Sequence, residues 1–309
     1  MKSYRLSKSK VISGMQCPKR LWLQVHKPDL IEVDYEENLP MLNGNEVGEM
    51  ARRLFPGTLV KYEGGLSAAL AKTEQLVADP DIRIIHEATF CHQGMLVRVD
   101  ILERSADAWI LTEVKGATSV KPHYIPDAAV QAWVVQSCGL RLESVRLMYV
   151  NNQFVYQGNG EYHGLLVADD ISSQTDNWLD DIDQKKAAFI TMLNGDEPAI
   201  EMGDQCNDPY ACEFCCYCQP DNMPEYPVTV LPRLLEPQKG ALMADYADVR
   251  DIPETALSNP NHLRVWRATR AGREEIICSE MGALKQLPWP RYYLDSLLSG
   301  QRNDSMKKV

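Results

Sequence analysis

Between residues 82 and 115 the chain drops the helical spacing of its opening third and takes on the pattern of strands. Three segments follow in succession, IRIIHEATF (82–90), MLVRVDILE (95–103) and AWILTEVK (108–115), separated only by Cys91 with HQG and by RSAD. Links of that length join antiparallel neighbours, so the region predicts a three-stranded meander. Whatever else the chain builds must pack around that sheet.

Helical patterns lie on either side of it. Residues 7–26 read as short helical pieces, with Pro18 well placed at a helix start just after Cys17. In GNEVGEMARRLF, Val47, Met50, Leu54 and Phe55 recur at helical spacing until Pro56-Gly57 stops the run. Residues 66–78 predict a further helix. Beyond the meander, IPDAAVQAWVVQSCG predicts a mostly apolar helix closed by Gly139, SVRLMYVNN and QFVYQ predict two strands across an Asn-rich turn, and residues 176–194 predict a helix. This order implies an α/β sandwich around a mixed sheet. Residues 227–309 read as helical, with PRYYLD (290–295) as a final strand.

At 309 residues and 45% hydrophobic content the chain can bury a substantial core. No apolar run approaches the length of a membrane span, and the basic N-terminus lacks the continuous apolar stretch of a signal peptide. The expectation is therefore a cytoplasmic protein with no membrane partner. In that compartment thiols stay reduced, so the five cysteines of QCNDPYACEFCCYCQP (Cys206, Cys212, Cys215, Cys216 and Cys218) point to metal rather than disulfides. Cys91, Cys138 and Cys278 read as core residues. The net charge of −11 argues against non-specific nucleic-acid binding by the whole surface. Residues 1–28 nevertheless carry seven cations (Lys2, Arg5, Lys8, Lys10, Lys19, Arg20 and Lys27) and no acid, a face suited to a phosphate backbone.

The hairpin between the second and third strands holds the strongest chemical signal outside the cysteines. If it turns symmetrically about Ser105 to Ala108, Asp100 lies opposite Glu113 and Arg98 opposite Lys115, and strand alternation puts all four side chains on one face. Facing carboxylates repel unless something positive sits between them. Mg²⁺ or Mn²⁺ would fill that role, with Asp100, Glu113 and the Val114 carbonyl as oxygen ligands. Lys115 would then orient or deprotonate an attacking water. A half-solvated strand face of mixed charge gives the same pattern without chemistry.

Asp100 on one strand, Glu113-Val114-Lys115 on the next and Gln131 on the following helix resemble the core of the PD-(D/E)XK nuclease superfamily, in particular its RecB-like branch. The likeness continues through LSKSKVISGMQCPKRLWL, GNEVGEMARRLFPGT, IHEATF, LVRVDILE, EVKGATSVKPHYIPDAAVQAW and CNDPYACEFCCYC, in that order. These phrases are similar to the N-terminal half of a bacterial family related to the CRISPR-associated RecB-type exonucleases. The match covers residues 5–218 and extends more weakly to about residue 295.

The resemblance implies a restriction-endonuclease-like mixed β-sheet core flanked by helices, occupying residues 1–226 together with the cluster-binding segments. Residues 227–309 would be a helical extension, the stub of the RNase H-like exonuclease domain of longer relatives, with no catalysis assigned to Asp295. It implies catalytic roles for Asp100, Glu113, Lys115 and Gln131, the glutamine touching DNA or the water network, and metal binding by Asp100, Glu113 and Val114. A 4Fe-4S cluster would be held by Cys17 in GMQCPKR and by Cys206, Cys212 and Cys218, spaced C-x5-C-x5-C, with Cys215 as the main competitor for a ligand position. Many relatives carry a metal-binding His in a G-x-x-x-H pattern. Counted from Gly44 that slot holds Gly48, flanked by Glu46 and Glu49, and His86 reads as structural. The implied activity is a Mg/Mn-dependent deoxyribonuclease acting on DNA, with protein partners from a repair, CRISPR or phage-defence system. Two other readings are a non-catalytic DNA-binding or assembly module of the same fold and a zinc protein, since four thiolates also bind Zn²⁺.

Overall fold

The computed structural model describes residues 4–31, 38–158, 160–220 and 223–273. In chain order the regular elements are β1 (Leu6–Ser7), α1 (Lys8–Gln16), α2 (Pro18–His26), α3 (Asn38–Leu54), β2 (Thr58–Leu59), α4 (Gly65–Ala78), β3 (Ile84–His92), β4 (Met95–Ser105), β5 (Ala108–Val114), α5 (Tyr124–Ser137), β6 (Leu142–Val150), β7 (Leu166–Asp170), α6 (Ser172–Leu193), α7 (Cys215–Cys218), α8 (Gln238–Asp245) and α9 (Pro260–Ala271). The chain divides into two compact units, Met1–Cys218 and Gln219–Val309, ahead of the expected boundary at residue 226. Among the described residues no helix is long and apolar enough to cross a membrane.

The first unit is a mixed seven-stranded sheet flanked by helices, in the order β2-β3-β4-β5-β6-β7 with β1 also paired to β4. β3, β4 and β5 form the predicted antiparallel meander, and the register from Ser105↔Ala108 to Ile101↔Thr112 is the one that a symmetric RSAD turn requires. β1 runs parallel to β4 at Met95 and Leu96, on the edge that β5 takes up again from Ile101. Among the described residues no strand pairs with that edge of β4 between Leu96 and Ile101, and Asp100 lies in the gap.

Apolar alternation explains most of the layering. Leu111, Leu147 and Leu102 are fully buried beneath a helical layer that includes Val11, Leu21, Ala128, Val134, Ile182 and Leu193. On the other face Ile101, Met148 and Leu166 pack with Ala51 of α3. One irregularity interrupts the pattern. Val97 and Val99 share the main core with Leu102, so β4 breaks its alternation between residues 99 and 102. On β3 the position opposite Asp100 is Glu87, whose φ of 57° is unusual for a residue with a side chain. Both strands are therefore kinked at the same level, beside the gap.

Three sequence expectations are corrected. QFVYQ forms no strand: residues 153–157 are turn and irregular chain, started by the Asn151 side chain, which accepts the Gln153 N–H at 3.0 Å. The antiparallel partner of β6 is instead β7. Cys138, expected in the core, is exposed at the end of α5. The basic N-terminal face is largely neutralised within the fold, because Lys19 and Lys27 pair with Glu197, Arg20 with Glu213, and Lys8 with Glu113.

The second unit has its own small core of Val228, Leu231, Leu242, Val249, Ile252, Leu257 and Trp266. Its described part is built of short helices, as expected. α9 is capped by Asn259, whose side chain accepts the Asn261 N–H, and ends at Gly272 with φ 60°. PRYYLD, Asp295 and Cys278 lie outside the described residues.

Candidate functional site

The gap in β4 is where the chemistry-bearing side chains converge. The Asp100 carboxylate accepts the Val114 N–H at 2.7 Å, taking the place of a ladder partner where β4 and β5 part. One residue earlier, Glu113 points from β5 into the main helical face and is almost wholly buried. Its Oε1 accepts from Lys115 at 2.7 Å and from Lys8 at 2.8 Å, and its Oε2 accepts from the Gln131 amide. Asp127, one helical turn before Gln131 on α5, receives Lys115 on Oδ2 and lies 3.5 Å from Lys8 through Oδ1. Glu113, Lys8, Asp127 and Lys115 thus close a ring of alternating charge.

Burial pushes the Asp100 carboxyl well above the usual aspartate range, with repulsion from Glu113 adding to it against the pull of Lys8 and the Val114 N–H. Burial acts on Glu113 as well, but Lys8 and Lys115 outweigh it and hold that carboxyl well below the usual range. Burial opposes charge on the two lysines, yet Glu113 and Asp127 keep both raised above ordinary lysine. Burial and Glu113 raise Asp127. Two carboxyls on adjacent strands are thereby driven apart in proton affinity, the pattern expected where one site needs two different oxygens.

Of the sequence-derived candidates, Asp100, Glu113, Lys115 and Gln131 meet in this site. Gln131 is fully buried, so its side chain orients Glu113 and has no surface to offer a polymer. Arg98 does not join them. The kink turns it outward to Glu87, 3.1 Å away, which Arg52 of α3 also approaches at 3.4 Å. His86 is structural: its ring nitrogens lie 2.7 Å from the Phe55 carbonyl and 3.2 Å from that of Asp100. Glu46 is half-buried and Glu49 exposed on α3. Lys8 and Asp127 were missed as site residues. Asp127 carries a usable signal, its spacing of four from Gln131 on one helix, whereas Lys8 reaches a partner 105 residues away and has none.

The site fits a divalent cation on two observations. The Gln131 Oε1 is buried without a hydrogen-bond partner, and two carboxylates with a strand-end backbone supply the hard oxygen donors that such ions take. Among the described residues no three acid, imidazole or thiol side chains converge into a ready single-ion cage. Mg²⁺ commonly binds through only one or two carboxylates and keeps several waters.

A second group of residues forms where the chain ends of the first unit meet. Cys17, Cys206, Cys212 and Cys218 line one small pocket with Lys19, Arg20, Leu23, Ile200, Glu201, Met202 and Gln205. Cys17 sits at the junction of α1 and α2, donating its N–H to Ser13. The Gln16 amide ties the junction to the Gln205 and Tyr210 carbonyls, both at 2.7 Å. The Cys212 N–H donates to the Cys206 carbonyl at 2.8 Å, and Phe214, almost wholly buried, anchors the segment from below. Burial raises the Cys212 thiol to about 11 and also raises Cys215 and Cys218. Cys215 lies beside the pocket, its Sγ 4.0 Å from the Cys206 carbonyl, and Cys216 is exposed. The four thiols share one pocket and are the soft donors that iron or zinc takes, although among the described residues no three of them close on a single ion.

No family model and no curated protein matches the chain. Among solved structures it is similar to one described as "Crystal structure of SSO0001", with a TM-score of 0.38 and 12% identity over 71% of this chain and 87% of that one. A likeness of that degree carries no argument about function.

Proposed function

We propose that the first unit is a metal-dependent DNA nuclease of the PD-(D/E)XK type, hydrolysing phosphodiester bonds, with a structural 4Fe-4S cluster. The observation that carries this reading is the meeting of Asp100, Glu113, Lys115 and Gln131 at the gap in the β4 edge between its pairings with β1 and β5. The resemblance of the surrounding phrases to RecB-like nucleases supports it. Asp100 and Glu113, with the Val114 carbonyl, would hold Mg²⁺ or Mn²⁺, which supplies positive charge for a phosphate oxygen and a more acidic water. Gln131 fixes the Glu113 carboxylate, and Asp127 fixes the Lys115 amine. Lys115, bonded to two carboxylates, acts as an ammonium: it orients the water and offsets charge on the phosphate, while a carboxylate takes the proton.

Cys17, Cys206, Cys212 and Cys218 would hold the cluster, and its contribution is structural. It would tie Cys17 to a segment that begins at residue 206 and so constrain the unfolded chain over most of the unit. In this reading the protein works in the cytoplasm, and its protein partners belong to DNA repair, CRISPR or phage defence.

One observation favours a different reading, a DNA-binding or assembly module without catalysis: both lysines already occupy the Glu113 oxygen that a cation would use. One experiment separates the two. Purified protein is incubated with single- and double-stranded DNA, with free and blocked ends, in Mg²⁺ or Mn²⁺. The nuclease reading expects cleavage that Asp100→Ala abolishes and Lys115→Ala lowers by at least about a hundredfold. Retention of binding with no cleavage by the wild type under any of these conditions establishes the module instead.

A further inference from the structure

We propose that Lys8 is an internal counter-ion that competes with the divalent cation for Glu113, and that Asp127 takes up its charge when the cation enters. The proposal rests on reading Asp100 and Glu113 as the cation-binding pair. It goes beyond that reading by assigning roles to two residues outside the Asp-Glu-Lys set.

The geometry of the charge ring points to exchange. Glu113 Oε1 receives two ammonium groups at 2.7 and 2.8 Å, which fills both of its lone-pair directions, and Oε2 receives the buried Gln131 amide. A cation that binds Glu113 through Oε1 must displace one lysine. Lys115 is held on both sides, by Glu113 and closely by Asp127. Lys8 is held closely only by Glu113, its second contact to Asp127 being 3.5 Å, so Lys8 is the one that can move. A short shift toward Asp127 Oδ1 keeps it paired throughout.

The backbone brings Lys8 to this point and keeps it there. β1 ends at Ser7 after pairing with Met95 and Leu96, so the next residue enters the stretch of β4 edge that leads to Asp100. Ser7 caps α1 by accepting the Lys10 N–H, which makes Lys8 the first helical residue. A cation is disfavoured at a helix N-terminus, so local preference does not explain a lysine there. The facing carboxylates do. Their attraction, set against the helix dipole, leaves an ion held firmly enough to order the site and loosely enough to be exchanged.

Exchange predicts opposite signs for two variants in one measurement. The whole protein, stripped of loosely bound divalent ions with a chelator, is titrated with Mn²⁺ and the free ion is read by electron paramagnetic resonance. Lys8→Met, which keeps the side-chain stem, removes the competitor and is expected to tighten Mn²⁺ binding roughly tenfold. Asp127→Asn deprives the displaced lysine of its acceptor and is expected to weaken binding several-fold. A purely structural ion pair would loosen the site in both cases. Unchanged or weaker Mn²⁺ binding by folded Lys8→Met, judged by circular dichroism, overturns the proposal. If that variant does not fold, unchanged or tighter binding by Asp127→Asn overturns it alone. Asp100→Asn serves as the reference and should abolish the site. Undiminished binding there refutes the cation-site reading itself, an outcome distinct from a failure of exchange.

Discussion

Asp100 and Glu113 are close enough to repel one another, yet neutralising each should change stability in opposite directions. Glu113→Gln keeps the shape of a fully buried side chain but removes the charge that Lys8 and Lys115 share. Gln131 can rotate its amide and present its unpartnered Oε1 to the new NH₂, so the Oε2 side heals. The two ammonium groups are left with Asp127 alone. Breaking a buried pair costs about 3–5 kcal/mol, and the healed side places this case near the lower end, about 3 kcal/mol. Asp100→Asn still accepts the Val114 N–H and loses only a buried charge that faces a like charge. A gain in stability follows.

At roughly 2–4 °C per kcal/mol for a unit of this size, the melting temperature should fall by roughly 6–12 °C in Glu113→Gln, whereas in Asp100→Asn it should rise. Thermal unfolding followed by circular dichroism in excess chelator checks both. The pH dependence separates them further. Glu113 has a depressed folded value, so its contribution is complete above the ordinary 4.5 and disappears as pH falls through the lower folded value. The Glu113→Gln deficit should therefore shrink in acid. Asp100 has a raised folded value, so its penalty sets in as pH climbs above 3.8, and the advantage of Asp100→Asn should grow over the same range. A destabilised Asp100→Asn, or a Glu113→Gln that melts with the wild type at neutral pH, would refute the account of the charge ring.

Two further outcomes follow from other parts of the molecule. Cys17→Ser in anaerobically purified protein should lose iron, brown colour and soluble yield together, because a metal site built from distant ligands is coupled to folding; full iron content in that variant would remove Cys17 from the ligand set, and a colourless wild type containing zinc would replace the cluster by a zinc site. Gly57→Ala should cost about 1–3 kcal/mol in a urea titration, since a Cβ there would stand 2.6 Å from the Ile84 side chain and 2.7 Å from its carbonyl oxygen, where β2 meets β3.

The parts of the fold that could be read in the sequence are those fixed by neighbours. The RSAD turn set the register of β4 and β5, and with it the approach of Asp100 to Glu113. Pro18 and Gly139 marked a helix start and a helix end because each acts on its own backbone. What escaped was set from a distance. β1 and β2 are two residues each, too short for any period, and exist only because β4 and β3 offer an edge. Arg98 was expected to share the carboxylate face on simple alternation. The kink at Glu87 and Asp100 broke that alternation, and no local pattern announces a left-handed residue in mid-strand. QFVYQ had strand composition, but Asn151 gathered the chain into a turn first.

The position of β1 also bears on how the chain is made. The first strand and α1 depend on partners far downstream: Leu6 on Met95, Lys8 on Glu113, Tyr4 on the Leu193 carbonyl, and Gln16 on the Gln205 and Tyr210 carbonyls. At about 5–20 residues per second, a ribosome needs roughly ten to forty seconds between delivering Gln16 and delivering Gln205. The partners arrive in stages within that interval, Met95 and Glu113 near its middle and Leu193, Gln205 and Tyr210 at its end, so the Gln16 end of the segment waits longest. Residues 4–20 thus leave the ribosome well before the last of the partners that bury them, which exposes that stretch to proteases and holding chaperones during synthesis.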